Sequence, residues 1–95
     1  MSLIFTTIAK IKDWQMLQKL NSEVLVVQAR AAGATRYQVY RNVNDASQAL
    51  VLVELPHQEA VLEISDLVLE QMDNLPREHL ADDRVWEPVG WEGIG

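Results

Sequence analysis

"QALVLVELP", residues 48–56, is the stretch whose reading decides the fold. From Leu50 to Leu55 only Glu54 interrupts a run of aliphatic residues. Side chains alternate along a strand, so Leu50 and Leu52 take one side while Val51, Val53 and Leu55 take the other. A strand that is apolar on both sides needs cover on both sides, whereas antiparallel sheets with one wet face alternate apolar and polar residues. What covers the second side is the question that 95 residues must answer.

Upstream, "TRYQVYRNV" (35–43) alternates and is fairly polar, and "NDAS" (44–47) follows it. Asn, Asp and Ser favour turns because their side chains bond nearby backbone groups, so the two runs form an antiparallel hairpin. The first segment, "SLIFTTIAKIK" (2–12), is rich in β-branched and aromatic residues and reads as a strand. It is also two-sided, with Leu3, Phe5 and Ala9 opposite Ile4 and Ile8. Asp13 is placed to cap a helix in which Trp14, Leu17, Leu20, Val24, Val27 and Ala31 form one apolar stripe. Gly33 suits the left-handed turn that closes it.

After the opening stretch, Pro56 fits the first turn of a second helix. Val61, Ile64, Val68, Met72 and Leu75 mark its buried face, and Pro76 ends it. "REHLADD" (77–83) reads as a loop and "RVWEPVG" (84–90) as a short last strand, ahead of the tail "WEGIG" (91–95). The order β-α-β-β-α-β over one domain, residues 1–95, predicts a ferredoxin-like α+β fold: a four-stranded antiparallel sheet with two helices on one face. The oilier first and third strands belong in the centre. The polar second strand and the Pro88-containing fourth belong at the edges.

Two helices cover only one face of such a sheet. The other would leave several hundred square ångströms of apolar surface in water, more than soluble monomers usually expose. The closed solution is a homodimer with the sheets face to face, a dimeric α+β barrel. A domain this small gains most from such association.

Composition narrows the function. There is no cysteine, so disulfides and thiolate metal sites are out. No apolar run approaches the roughly 20 residues of a membrane span, and the N-terminus lacks the pattern of a signal peptide, so a cytoplasmic location is expected. Residues 1–44 hold six cations against Asp13 and Glu23 (6 − 2 = +4). Residues 45–95 hold Arg77 and Arg84 against twelve acids (2 − 12 = −10), which together give the net −6. Without a cluster of cations, neither nucleic acid nor an anionic membrane is an expected partner.

"GATRYQVYRNVNDASQALVLVEL" (33–55) resembles small bacterial members of the dimeric α+β barrel superfamily, the group of antibiotic-biosynthesis-monooxygenase-like proteins. The resemblance implies the same dimeric barrel and allows cofactor-free oxygenase, haem-degrading, isomerase or ligand-binding roles. Glu54 matches the acid that often ends the third strand. Leu55 stands where an aromatic residue often follows it, and Ile64 and Leu67 stand where histidines often align.

An even-numbered hairpin loop would set Tyr37, Arg41 and Glu54 on one face, with Arg36, Gln38 and Tyr40 on the other. The first face is the expected cavity lining, with Gln38 and Tyr40 as the alternative. There Arg41 could hold a carboxylate or phenolate, and a desolvated Glu54 could act as a base. An ordinary ion pair is the competing reading. His57, at the start of the second helix, is a candidate acid or base, or else an exposed first-turn residue. Trp86 and Trp91 line the cavity or seal the dimer, and Trp14 belongs to the core. His79, Asp82 and Asp83 match no metal-ligand spacing, and no cofactor is called for. Glu59, Glu63, Asp66, Glu70 and Asp73 form the wet side of the second helix. The expected ligand is a small apolar or aromatic molecule, either turned over by monooxygenase-like or isomerase-like chemistry or simply held by a regulatory or structural dimer.

Overall fold

The computed structural model describes residues 2–70 and 82–89, with the side chains of 68–70 left out. The elements run β1 (Leu3–Lys10), α1 (Trp14–Leu20), a π-helical segment (Asn21–Leu25), α2 (Val26–Ala31), β2 (Arg36–Arg41), β3 (Gln48–Leu55), α3 (Gln58–Glu70) and β4 (Asp82–Trp86). The strands form one antiparallel sheet in the order β2-β3-β1-β4. This is the ferredoxin-like arrangement, with the oily strands in the centre as expected. The expected helix residues Met72, Leu75 and Pro76, and the tail with Trp91, lie outside the described residues.

Local chemistry sets the helix ends. Asp13 Oδ1 accepts from the backbone N–H of Gln15 (3.0 Å) and Met16 (3.1 Å), capping α1. Gly33 ends α2 at φ 93°. The N–H of Gly33 donates to the Arg30 carbonyl and that of Ala34 to the Ala29 carbonyl, each at 3.0 Å, the pair of bonds that defines a Schellman close. α3 starts later than the sequence suggests. Pro56 sits outside it, and His57 is the cap: its Nδ1 accepts from the N–H of Ala60 at 3.2 Å.

Between α1 and α2 the Val26 N–H reaches back five residues to the Asn21 carbonyl. One extra residue is thereby packed into the turn, which rotates the downstream stripe. Leu17 is buried as expected, but beyond the π segment the buried position is Ala29, with Val26 and Ala32 partly buried. Val27 and Ala31 are exposed, a correction to the uniform period of the sequence reading.

Pairing fixes which residues share a face. Phe5 lies opposite Val53, Thr7 opposite Val51 and Ala9 opposite Ala49. Tyr37 pairs with Val53, Val39 with Val51 and Arg41 with Ala49. All of these are on the helix side. Phe5, Val53, Leu55, Ala29, Ala60, Val61 and Ile64 make the main core, with Leu55 wholly shielded. A second cluster, Ala9, Ile11, Leu17 and Ala49, is closed by Trp14.

The opposite face carries Ile4, Ile8, Leu50, Leu52, Tyr40 and Trp86, and no described element covers it. Ile8 is 37%, Tyr40 42% and Trp86 50% exposed. The two-sided character of β1 and β3 is therefore present in the structure as it is in the sequence.

Candidate functional site

A cavity of about 60 Å³ lies between the sheet and the helices, where the two core clusters meet. Phe5, Thr7 and Val51 form its floor, Leu25 and Ala29 one wall, and Ile64 and Leu67 of α3 another. Small side chains at Ala9, Ala29 and Ala49 leave the space open. Its polar groups are Thr7, whose hydroxyl donates to Asp83 of the edge strand, and Tyr37.

Tyr37 stands in β2 with its ring in the chamber and its O–H donated to Asn21 Oδ1, the first residue of the π segment. Burial pushes its phenol up to about 12 from 10.0, so it is a neutral donor at ordinary pH. Asn21 itself belongs to an open groove of about 400 Å³ on the outer side of α1. There Leu17 and Val39 make an apolar floor beneath Gln18, Asn21 and Arg41. Leu17 lines both spaces, and the Tyr37–Asn21 bond joins a residue of one to a residue of the other.

Arg41 is held by its position over the Trp14 ring, 4.4 Å from the ring centre. Trp14 is in turn anchored by its indole N–H, which donates to the Ala46 carbonyl at 3.0 Å. Trp14 therefore belongs to the core edge, as expected, and also supports the guanidinium.

The candidate residues do not form one constellation. Tyr37 and Arg41 share the helix side, whereas Glu54 pairs with Arg36 and Ile4 on the uncovered face. The reason is the hairpin loop. Asn42 and Gln48 are bonded across it by main chain (3.0 Å) and side chain (2.6 Å), which leaves five residues between them, 43–47. That number is odd, so the face assignment based on an even loop is corrected. Trp86 is likewise on the uncovered face, where its indole N–H donates to Thr6 Oγ1 at 2.7 Å. Gln38 and Tyr40, the alternative cavity residues, lie on that face too, with the Tyr40 hydroxyl bonded to Gln38.

His57 serves as a helix cap. Asp82 pairs with Arg84 at 2.9 Å, and among the described residues no group of His, Asp and Glu could hold a metal ion; His79 lies outside them. The sequence reading missed Asn21 and the groove. The signal available was weak: a polar Asn inside an apolar helical stripe, at the place where the period breaks.

No protein-family model matches the chain, and no curated protein matches it. Solved structures do. SnoaB, a cofactor-independent oxygenase from Streptomyces nogalater (crystallised as a variant), superposes with a TM-score of 0.75 at 9% identity over 95% of each chain. A Nitrosomonas europaea protein provisionally assigned as an antibiotic biosynthesis monooxygenase gives 0.68 at 8% identity, covering 97% of this chain and 94% of its own. A dimeric ferredoxin-like protein from an uncultured marine organism gives 0.64 at 13% identity, covering 95% and 97%. The chain thus has the fold of the ferredoxin-like, antibiotic-biosynthesis-monooxygenase-like proteins. At these identities the likeness is one of fold. No helix among the described residues is long and apolar enough to cross a membrane.

Proposed function

We propose that this chain is a cytoplasmic homodimer that binds a small apolar or aromatic molecule on the helix side of its sheet, with monooxygenase-like turnover. The observation that carries this reading is the chamber together with the groove that shares its Leu17 wall: the groove, about 400 Å³, takes a ring and the chamber, about 60 Å³, a small substituent. Protein interiors are close-packed. A void of about 60 Å³ costs roughly 1.5 kcal/mol at about 24 cal/mol per Å³. A small core that keeps such a void, walled by apolar side chains with Thr7 and Tyr37 as its polar groups, has the lining of a ligand site and the volume of a substituent. The uncovered face supports the dimer: Ile8, Leu50, Leu52 and Trp86 would each gain from burial against a second copy, and a fold neighbour is described as dimeric. Glu54 and Trp86 then belong to the seam between subunits, apart from Tyr37 and Arg41.

One observation favours a binding module without turnover. Ile64 and Leu67, at the positions where the family resemblance suggests histidines, both line the chamber, so its described walls contain no group that is basic at neutral pH. An oxygen electrode separates the two readings. Metal-free protein supplied with electron-rich phenols should consume oxygen above the no-protein rate, and consumption should fall with Tyr37→Phe or Ala29→Leu. Ligand-induced NMR shifts at Ala29 and Ile64 without oxygen uptake would establish the binding module instead.

A further inference from the structure

We propose that the groove beside the chamber recognises a small organic carboxylate, with the charged head on Arg41 and an aryl or short alkyl body on Leu17 and Val39. This deepens the ligand-binding reading above and rests on it.

Charge comes first. Among the described residues Arg41 is the only ionisable side chain lining the groove, and it makes no hydrogen bond or ion pair with any of them. The nearest acid along the chain, Asp45, accepts from the N–H and hydroxyl of Ser47, and Asp13, beside Trp14, accepts two backbone N–H groups as the α1 cap. A chain of net −6 thus presents here an unneutralised guanidinium whose fork matches a carboxylate.

Pre-organisation comes second. The guanidinium is stacked on Trp14, and Trp14 is tied to Ala46, so less side-chain freedom is lost when an anion binds. Neutral amide side chains line the same groove. Asn21 spends its carbonyl oxygen on Tyr37, which turns its amide N–H₂ to other partners, and Gln18 lines the same wall.

Size comes third. A cavity of about 150 Å³ holds benzene. The chamber, about 60 Å³, is too small for a ring, whereas the groove, about 400 Å³, accommodates one. The ring belongs on Leu17 and Val39, and only a small substituent could pass the Leu17 wall.

The test uses the whole chain, with phenylacetate, phenylacetamide and acetate as probes, followed through the three tryptophan indole N–H signals in NMR. Phenylacetate should shift the Trp14 signal and bind roughly tenfold tighter than phenylacetamide, the scale of one charge-assisted hydrogen bond. Acetate should bind more weakly than phenylacetate, because it lacks the body. Arg41→Gln should erase the difference between acid and amide. Val39→Glu, a change at a half-exposed position, should weaken both probes, since it removes part of the apolar floor, and the acid more than the amide. Equal binding of acid and amide, unchanged in Arg41→Gln, would overturn the carboxylate proposal and leave the ligand-binding reading standing. Absence of binding by all three probes at 10 mM-scale concentrations would overturn it as well. The chamber is then judged separately by xenon, whose shifts at Ala29 and Ile64 report that space alone.

Discussion

His57, a candidate acid or base in the sequence, caps α3 in the structure. Its Nδ1 accepts a backbone N–H, which requires the neutral ring with the proton on Nε2. Replacing it with Ala should cost about 1 kcal/mol in denaturant unfolding, and Asn or Ser should restore most of that. A loss of similar size in all three variants would show that the cap contributes nothing. Tyr37 gives a prediction in pH. Its phenol is raised to about 12 when folded against 10.0 ordinarily, by burial. The unfolded chain therefore releases this proton first as pH rises. Stability from this residue is complete below pH 10 and is lost through the window from 10 to 12. Tyr37→Phe should flatten the fall of unfolding free energy across that window. A parallel fall in both proteins would assign the alkaline loss elsewhere. Gly33 is the third single-residue case. At φ 93°, a Cβ would stand 3.2 Å from Pro56 Cγ, so Gly33→Ala adds backbone strain of about 1–2 kcal/mol to a tight contact.

At the scale of elements, the sequence showed most of what the strands do. Alternation at Leu50–Leu55 and Leu3–Ala9 gave the two-sided strands, and their oiliness placed them in the sheet centre. Asp13 and Gly33 marked the ends of the first helical stretch because each carries its own local chemistry. What stayed hidden depends on counting. The period of the first helix breaks at the π segment, and no single residue there declares an extra one, so Val27 and Ala31 were assigned to the wrong side. The hairpin hid its loop count in the same way. Tyr37 and Arg41 were legible as polar handles, but Glu54 could not be separated from them without the register. The π segment supports a test of its own. Deleting the exposed Glu23 should restore a regular α-helix while Ala29 keeps its inward place, so the Ala29 amide should remain protected from hydrogen exchange. Loss of that protection would mean that the extra residue is needed for packing as well as for placing Asn21.

At the scale of the whole molecule, the helix side and the uncovered side of one sheet have separate duties. Burial of roughly 1.5–3 kcal/mol per aliphatic side chain makes the uncovered face a strong drive for pairing. Ultracentrifugation at micromolar concentration should give twice the 10.8 kDa of the chain, and Leu52→Glu should return it to 10.8 kDa. A folded parent of single mass would remove the dimer and leave the chamber and groove untouched, since neither uses that face. Because dimerisation would stabilise the folded form by mass action, the melting temperature of the parent should climb with protein concentration while that of Leu52→Glu should not.

The turn at 43–47 also constrains how this gene can drift. A single codon gained or lost between Asn42 and Gln48 leaves β2 as it is when the turn takes up the change, and turns it over like a page when the turn keeps five residues and the pairing slips by one. Arg36, Gln38 and Tyr40 would then be pressed toward the helices, and Tyr37 and Arg41 would be carried out to the far side. Descendants of this sequence should therefore keep the Asn42–Gln48 pairing whatever the length of the turn, and a lineage in which that pairing has slipped by one should have given up whatever the helix side does.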